Sequence, residues 1–148
     1  MQNSTHTFNP LSAEQGHRLV GLARCAIADK LGCLTLENHP PQMRDDIFQR
    51  PFGTFVTLTK NDRLRGCIGS LEAREPLQES VRHNACSAAF RDPRFKPLTA
   101  EELAAIHIEV SVLTPPQPLA YHDGDDLLTK INPGKDGLII SKGMAQAT

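Results

Sequence analysis

The sequence predicts an α/β domain of the α+β kind, an antiparallel or mixed sheet with helices packed on it. Three observations predict it. Residues 54–59 and 64–69 are two strand-like runs joined by a polar turn. Residues 106–114 alternate apolar and polar side chains. Segments 12–31 and 75–90 carry apolar stripes at helical spacing.

The composition sets the bounds. With 148 residues, 39% hydrophobic and 22% charged, the chain is sized for one domain with a real core. A net charge of -1 leaves no basic footprint and argues against a nucleic-acid binder. No apolar run approaches membrane-spanning length, so no membrane role is expected. Residues 1–10 lack the apolar stretch of a secretory signal. Cys25, Cys33, Cys67 and Cys86 form no C-x-x-C pair. Reduced thiols in a cytoplasmic protein are therefore expected, with neither disulfides nor a zinc site.

Residues 1–11 read as a loosely docked tail. Ser12 and Gln15 have the spacing of a capping box and open a helix running to about Leu31. Leu19, Leu22, Ala23, Ala26 and Ile27 share one face of it. Gly32 is placed as the left-handed stop. The connection 33–51 is long, with a short extended piece at Cys33–Leu36, a breaker at Asn38-His39-Pro40-Pro41, and at most one helical turn within Met43–Gln49.

The hairpin follows. Thr54–Thr59 is rich in β-branched residues, and Lys60–Arg63 is the turn. Along Leu64-Arg65-Gly66-Cys67-Ile68-Gly69, strict alternation puts Leu64, Gly66 and Ile68 on the core face. Arg65, Cys67 and Gly69 then share the other face. Two glycines in a strand mark a bulge or close approach, and read here as room for something to lie across it.

A helix opens at Glu75-Pro76. Leu77, Val81, Asn84, Ala85 and Ala88 form its buried stripe, so Asn84 needs hydrogen-bond partners. Glu79, His83, Cys86 and Phe90 form a second stripe, either solvated or a contact surface. Asp92-Pro93-Arg94-Phe95 is a stiff loop in which Arg94 pairs with a nearby aspartate or offers its guanidinium to an anion. Thr99 and Glu102 match a second capping box. In the strand 106–114, His107 and Glu109 fall on the polar face, which can line up with Arg65 and Cys67. A weak helix at 123–131, a turn at 132–137 and an apolar strand at Leu138-Ile139-Ile140 complete the chain.

Leu64 to Ala73, with Asn84-Ala85, Ala88-Ala89-Phe90, Asp92-Pro93-Arg94-Phe95, Glu109 to Leu113 and Pro133-Gly134, stand in the order of a known family. The chain from about Ser12 onward resembles the AMME chromosomal-region domain, the A component of the AmmeMemoRadiSam system. The resemblance implies two subdomains with a cleft between them near the hallmark stretch. It implies association with a Memo-type, dioxygenase-like protein and a radical SAM protein. It implies no settled reaction and leaves the cofactor open. Members of that family continue further than this sequence does. Relative to them the C-terminal part of the fold is missing, and an exposed apolar surface is expected near Leu138–Ile140.

Two functional readings follow. In the first, the chain is an accessory or binding component, with Arg65, Gly66, Gly69, Asn84, Arg94 and Glu109 forming a recognition surface for a partner or small-molecule ligand. In the second, it is a small-molecule enzyme. Cys67 is its nucleophile or redox thiol, Arg65 lowers the thiol pKa, and His83 or His107 serves as base. Buried cysteine commonly acts as a small hydrophobe, so packing is the default role for Cys67.

Overall fold

The computed structural model describes residues 11–35 and 39–147. The expected tail, Leu11 excepted, lies outside the described residues, as do Leu36 and Asn38 of the long connection. The chain divides into two compact units, Met1–Pro115 and Pro116–Thr148.

The first unit is built on a three-stranded antiparallel sheet in the order β2-β1-β3, with β1 Gly53–Lys60, β2 Arg63–Ser70 and β3 Ile106–Leu113. Helices α1, Ala13–Lys30, and α2, Leu77–Phe90, pack together, and α2 lies on β1 and β2. The α+β class is the one expected, and the sheet is antiparallel throughout.

Helix α1 starts as its capping box dictates. Ser12 accepts from the Gln15 N–H, and the Gln15 side chain accepts from the Ser12 N–H. It ends at Gly32, whose φ of +70° is the left-handed stop. Its buried face is Leu19, Leu22, Ala23, Cys25, Ile27 and Ala28. Arg24 is half-buried. It donates to the carbonyls of Leu103 and Ile106, fastening α1 to the start of β3.

Val56 and Leu58 of β1, with Leu77, Val81, Ala85 and Ala88 of α2, form the centre of the core. Phe48 joins them from a 3-10 turn over Asp46–Gln49. Helical periodicity could not find it, because one 3-10 turn carries no repeat. Asn84 is buried on the stripe expected, and it is satisfied. Its amide donates to the Thr54 hydroxyl at 2.8 Å and to the Thr54 carbonyl at 3.3 Å. The Thr54 and Ser80 hydroxyls are 2.6 Å apart. This knot joins the sheet to α2 without an orphaned donor.

Helix α3, Ala100–Leu103, carries the second capping box, between Thr99 and Glu102. In the second unit, α4 spans Gly124–Lys130 with Asp123 as its cap. Strand β4, Ile140–Lys142, pairs with β5, Ala145–Ala147. Two residues separate the strands and Ile140 pairs with Ala147, where an apolar strand on an open edge was expected; Leu138 and Ile139, expected within that strand, precede it. The Ile140 side chain remains exposed, as does that of Ile139.

Candidate functional site

Among the described residues, strand β2 has β1 on one side and no strand on the other. Register places Cys67 opposite Thr57, and Thr57 opposite Glu109 of β3. The three side chains form a row across the face of the sheet turned away from α2. Phe55 and Ser111 lie in the next row, with Thr59 and His107 on the other side. The Cys67 Sγ is 3.3 Å from the Thr57 hydroxyl. Glu109 is two strands away, about 10 Å. Among the described residues no imidazole or carboxylate hydrogen-bonds the thiol.

The backbone of Cys67 is held from outside the sheet. Its N–H donates to the Asp92 Oδ2 at 2.9 Å. Its carbonyl accepts from the Arg94 Nη2 at 3.2 Å. Arg94 also grips Asp92 through two side-chain bonds, of 3.0 and 2.8 Å. The Asp–Arg pair thus takes the place of a fourth strand at this one residue. Arg94 holds the Asp92 carboxyl well below the usual carboxylate range, and the Cys67 N–H acts in the same direction against the opposing effect of burial. The Asp92 side chain is 1% exposed, while that of Arg94 is 54% exposed.

Arg65 does not share the face of Cys67, contrary to the alternation expected. Thr59 faces Leu64 and Leu58 faces Gly66, so Arg65 is an extra residue, a β-bulge. The bulge shifts the pattern by one. Leu64 turns to the outer face and is 43% exposed. Arg65 joins the side of Lys60 and α3. Its Nε and Nη2 donate to the two oxygens of Glu102 at 3.1 and 2.9 Å. Lys60 Nζ donates to the same carboxylate at 3.0 Å. These bonds, that from Arg65 foremost, lower the Glu102 pKa to about 2. Two guanidiniums approach the Phe95 ring, Arg65 at 6.0 Å and Arg94 at 5.6 Å from its centroid.

The glycines of β2 leave no open room. A Cβ on Gly66 would overlap the Ala88 carbonyl oxygen, so this glycine lets α2 approach the strand. A Cβ on Gly69 would overlap the Phe55 ring and the Thr54 carbonyl oxygen. The space expected to receive a ligand is filled by the protein itself. His83 is also remote from the thiol. It sits on the exposed side of α2, 3.6 Å from Glu75, while Cys67 points from the opposite face of the sheet. Asn84 belongs to the core knot. The structure therefore brings Cys67 together with Arg94, leaves Glu109 two strands away on the same face, turns Arg65 away from the thiol to share the Phe95 ring with Arg94, and keeps His83 and Asn84 apart from the thiol.

Sequence reasoning missed Glu102, Lys60 and Phe95, and it left the partner of Arg94 open. The capping-box signal found Glu102 as a helix cap, but its bond to Arg65 spans 37 positions and depends on the bulge. The described residues hold no cluster of three or more His, Cys, Asp or Glu able to bind a metal ion. No helix among them is long and apolar enough to cross a membrane.

A family model described as AMMECR1 matches residues 20–148. A protein of Methanothermobacter thermautotrophicus is 45% identical over 94% of this chain and 72% of its own length. A protein of Thermofilum pendens is 42% identical over 92% of this chain and 68% of its own length. One from Saccharolobus islandicus is 44% identical over 97% of this chain and 64% of its own. Among solved structures, the uncharacterized protein PH0010 from Pyrococcus horikoshii superimposes with a TM-score of 0.77 at 37% identity. That match covers 92% of this chain and 68% of the other. The chain thus spans roughly two thirds of the length of the proteins it resembles.

Proposed function

The chain belongs to the AMMECR1 family, and from that premise we propose that it is an accessory or binding component, presenting the outer face of its sheet to a partner. One observation carries this reading. The best-organised polar pair beside Cys67, Asp92 with Arg94, holds the backbone and not the sulfur. The thiol meets a hydroxyl, which is no base. A nucleophile would need a base within hydrogen-bond reach; His83 stands on the far side of the sheet, and His107, on the outer face, lies two strands away and one row along. That disfavours the alternative of an enzyme using Cys67 as nucleophile.

The recognition surface consists of Cys67, Thr57, Glu109 and Ser111, bordered by the exposed guanidinium of Arg94. The partners to try are those the resemblance implies, a Memo-type protein and a radical SAM protein, met in the cytoplasm. The test is capture of each purified partner by the whole chain and by two variants. Glu109→Lys reverses a charge on the proposed surface, and Cys67→Ser removes only the thiol. The expected result is capture by the parent chain and by Cys67→Ser, with capture lost in Glu109→Lys. Capture of neither partner, or equal loss in Cys67→Ser, would overturn the reading.

A further inference from the structure

We propose that a second site, at the tip of the β1–β2 hairpin, binds a phosphate-bearing small molecule. A shallow hollow of about 440 Å³, more open than enclosed, lies there, lined by Lys60, Asn61, Arg63, Leu64 and Arg65. Small-molecule sites occupy about 300–1,000 Å³, so the hollow has room for more than an inorganic ion. Three of its five lining residues are cationic and none is a carboxylate.

The charges near it do not balance. Lys60 and Arg65 share one counter-ion, Glu102. Among the described residues Arg63 makes no ion pair. Asp62 is adjacent in the turn but does not line the hollow. One acid shared by two cations, with Arg63 added, leaves a surplus of about two positive charges in the lining, which a phosphate monoester carrying about -1.5 to -2 would match. A carboxylate would supply half of that.

A second, independent observation comes from hydrogen bonding. Among the described residues, Arg65 Nη1 is the buried side-chain nitrogen or oxygen with no hydrogen-bond partner. A buried donor without a partner is costly, and an acceptor that reached it, an ion or a water, would relieve that cost. Nε and Nη2 are already tied to Glu102, so the guanidinium plane is fixed before any ligand arrives. The turn is fixed too, because Asn61 and Asp62 have φ of 51° and 58° and form a tight two-residue loop. Leu64 gives the hollow an exposed apolar wall for the organic part of a monoester.

This site shares no residue with the proposed partner surface of Cys67, Thr57, Glu109, Ser111 and Arg94, and stands whether or not the partner reading holds. The test is an amide NMR titration of the whole chain at pH 7.5 with phenyl phosphate, inorganic phosphate, acetate, and sodium chloride at matched ionic strength. Phenyl phosphate is expected to shift the amides of residues 60–65 and to bind more tightly than inorganic phosphate or acetate. Cys67 and Glu109 amides should stay in place. Arg63→Ala, at an exposed position, should weaken binding about tenfold or more, the loss of one charge-assisted hydrogen bond. Lys60→Gln is the second variant, with the same expectation. Shifts reproduced by sodium chloride, acetate binding as tightly as phenyl phosphate, or undiminished affinity in both variants would overturn the proposal.

Discussion

The Asp92 carboxylate accepts the backbone N–H of Cys67 at 2.9 Å, from a loop 25 positions further along the chain. It satisfies a donor that, among the described residues, no neighbouring strand reaches, at the edge of the sheet. Because Arg94 closes the same loop onto the Cys67 carbonyl, the stiffness of the Asp92–Phe95 loop is passed to β2.

Replacing Asp92 should therefore destabilise the first unit. Asp92→Ala leaves the Cys67 N–H and the Arg94 guanidinium without their acceptor, at a cost of about 2–3 kcal/mol. Asp92→Asn keeps one oxygen and should lose less. Urea unfolding of the two variants checks this, and equal stability of Asp92→Ala and the parent would refute it.

The Thr54–Ser80–Asn84 knot should show coupling. Thr54→Val alone removes the shortest acceptor of the Asn84 amide, leaving it the Thr54 carbonyl at 3.3 Å and the Ser80 hydroxyl at 3.4 Å, and costs about 1 kcal/mol. Thr54→Val combined with Ser80→Ala should cost less than the sum of the two single changes, because the second removes a group already short of a partner. Additive losses in a double-mutant cycle would show that the hydroxyls act separately.

Gly66→Ala tests the contact between strand and helix. The added methyl meets the backbone oxygen of Ala88, which no side-chain rotation can move aside. A loss of about 3 kcal/mol is expected from overpacking. Gly16→Ala, where a Cβ has open space, is the control and should leave the urea midpoint no lower.

Acid should weaken the fold through Glu102 and Asp92. Arg65 lowers the Glu102 pKa to about 2, and Arg94 holds Asp92 below its usual range. The unfolded chain, with ordinary values of about 4, binds protons first as pH falls. The stability these groups contribute is complete above about pH 5 and is lost as pH drops from about 4.5 toward 2. Urea midpoints across this range should decline, and Glu102→Gln should decline less steeply. A decline as steep in Glu102→Gln as in the parent would remove Glu102 from the account.

Element positions were largely legible in the sequence, because local chemistry sets them. Ser12 with Gln15, Gly32, Thr99 with Glu102 and the alternation from Ile106 to Val112 each act within a few residues. The burial of Asn84 was legible for the same reason, since a helical stripe exposes it to arithmetic. The site was less legible. The facing of Arg65 depends on one unpaired residue in β2, which appears only when β2 is laid against β1. The choice of Asp92 as the partner of Arg94, and of Glu102 as that of Arg65, depends on where loops return in space. Gly66 and Gly69 were read as vacancies because the sequence does not show that Ala88 and Phe55 come to fill them.

The bulge at Arg65 makes one short strand serve two unrelated surfaces. On the hairpin side of it the chain shows charge to the hollow; beyond it, a thiol to the flat of the sheet. The two proposed sites have no lining residue in common, so filling one is expected to leave the other open.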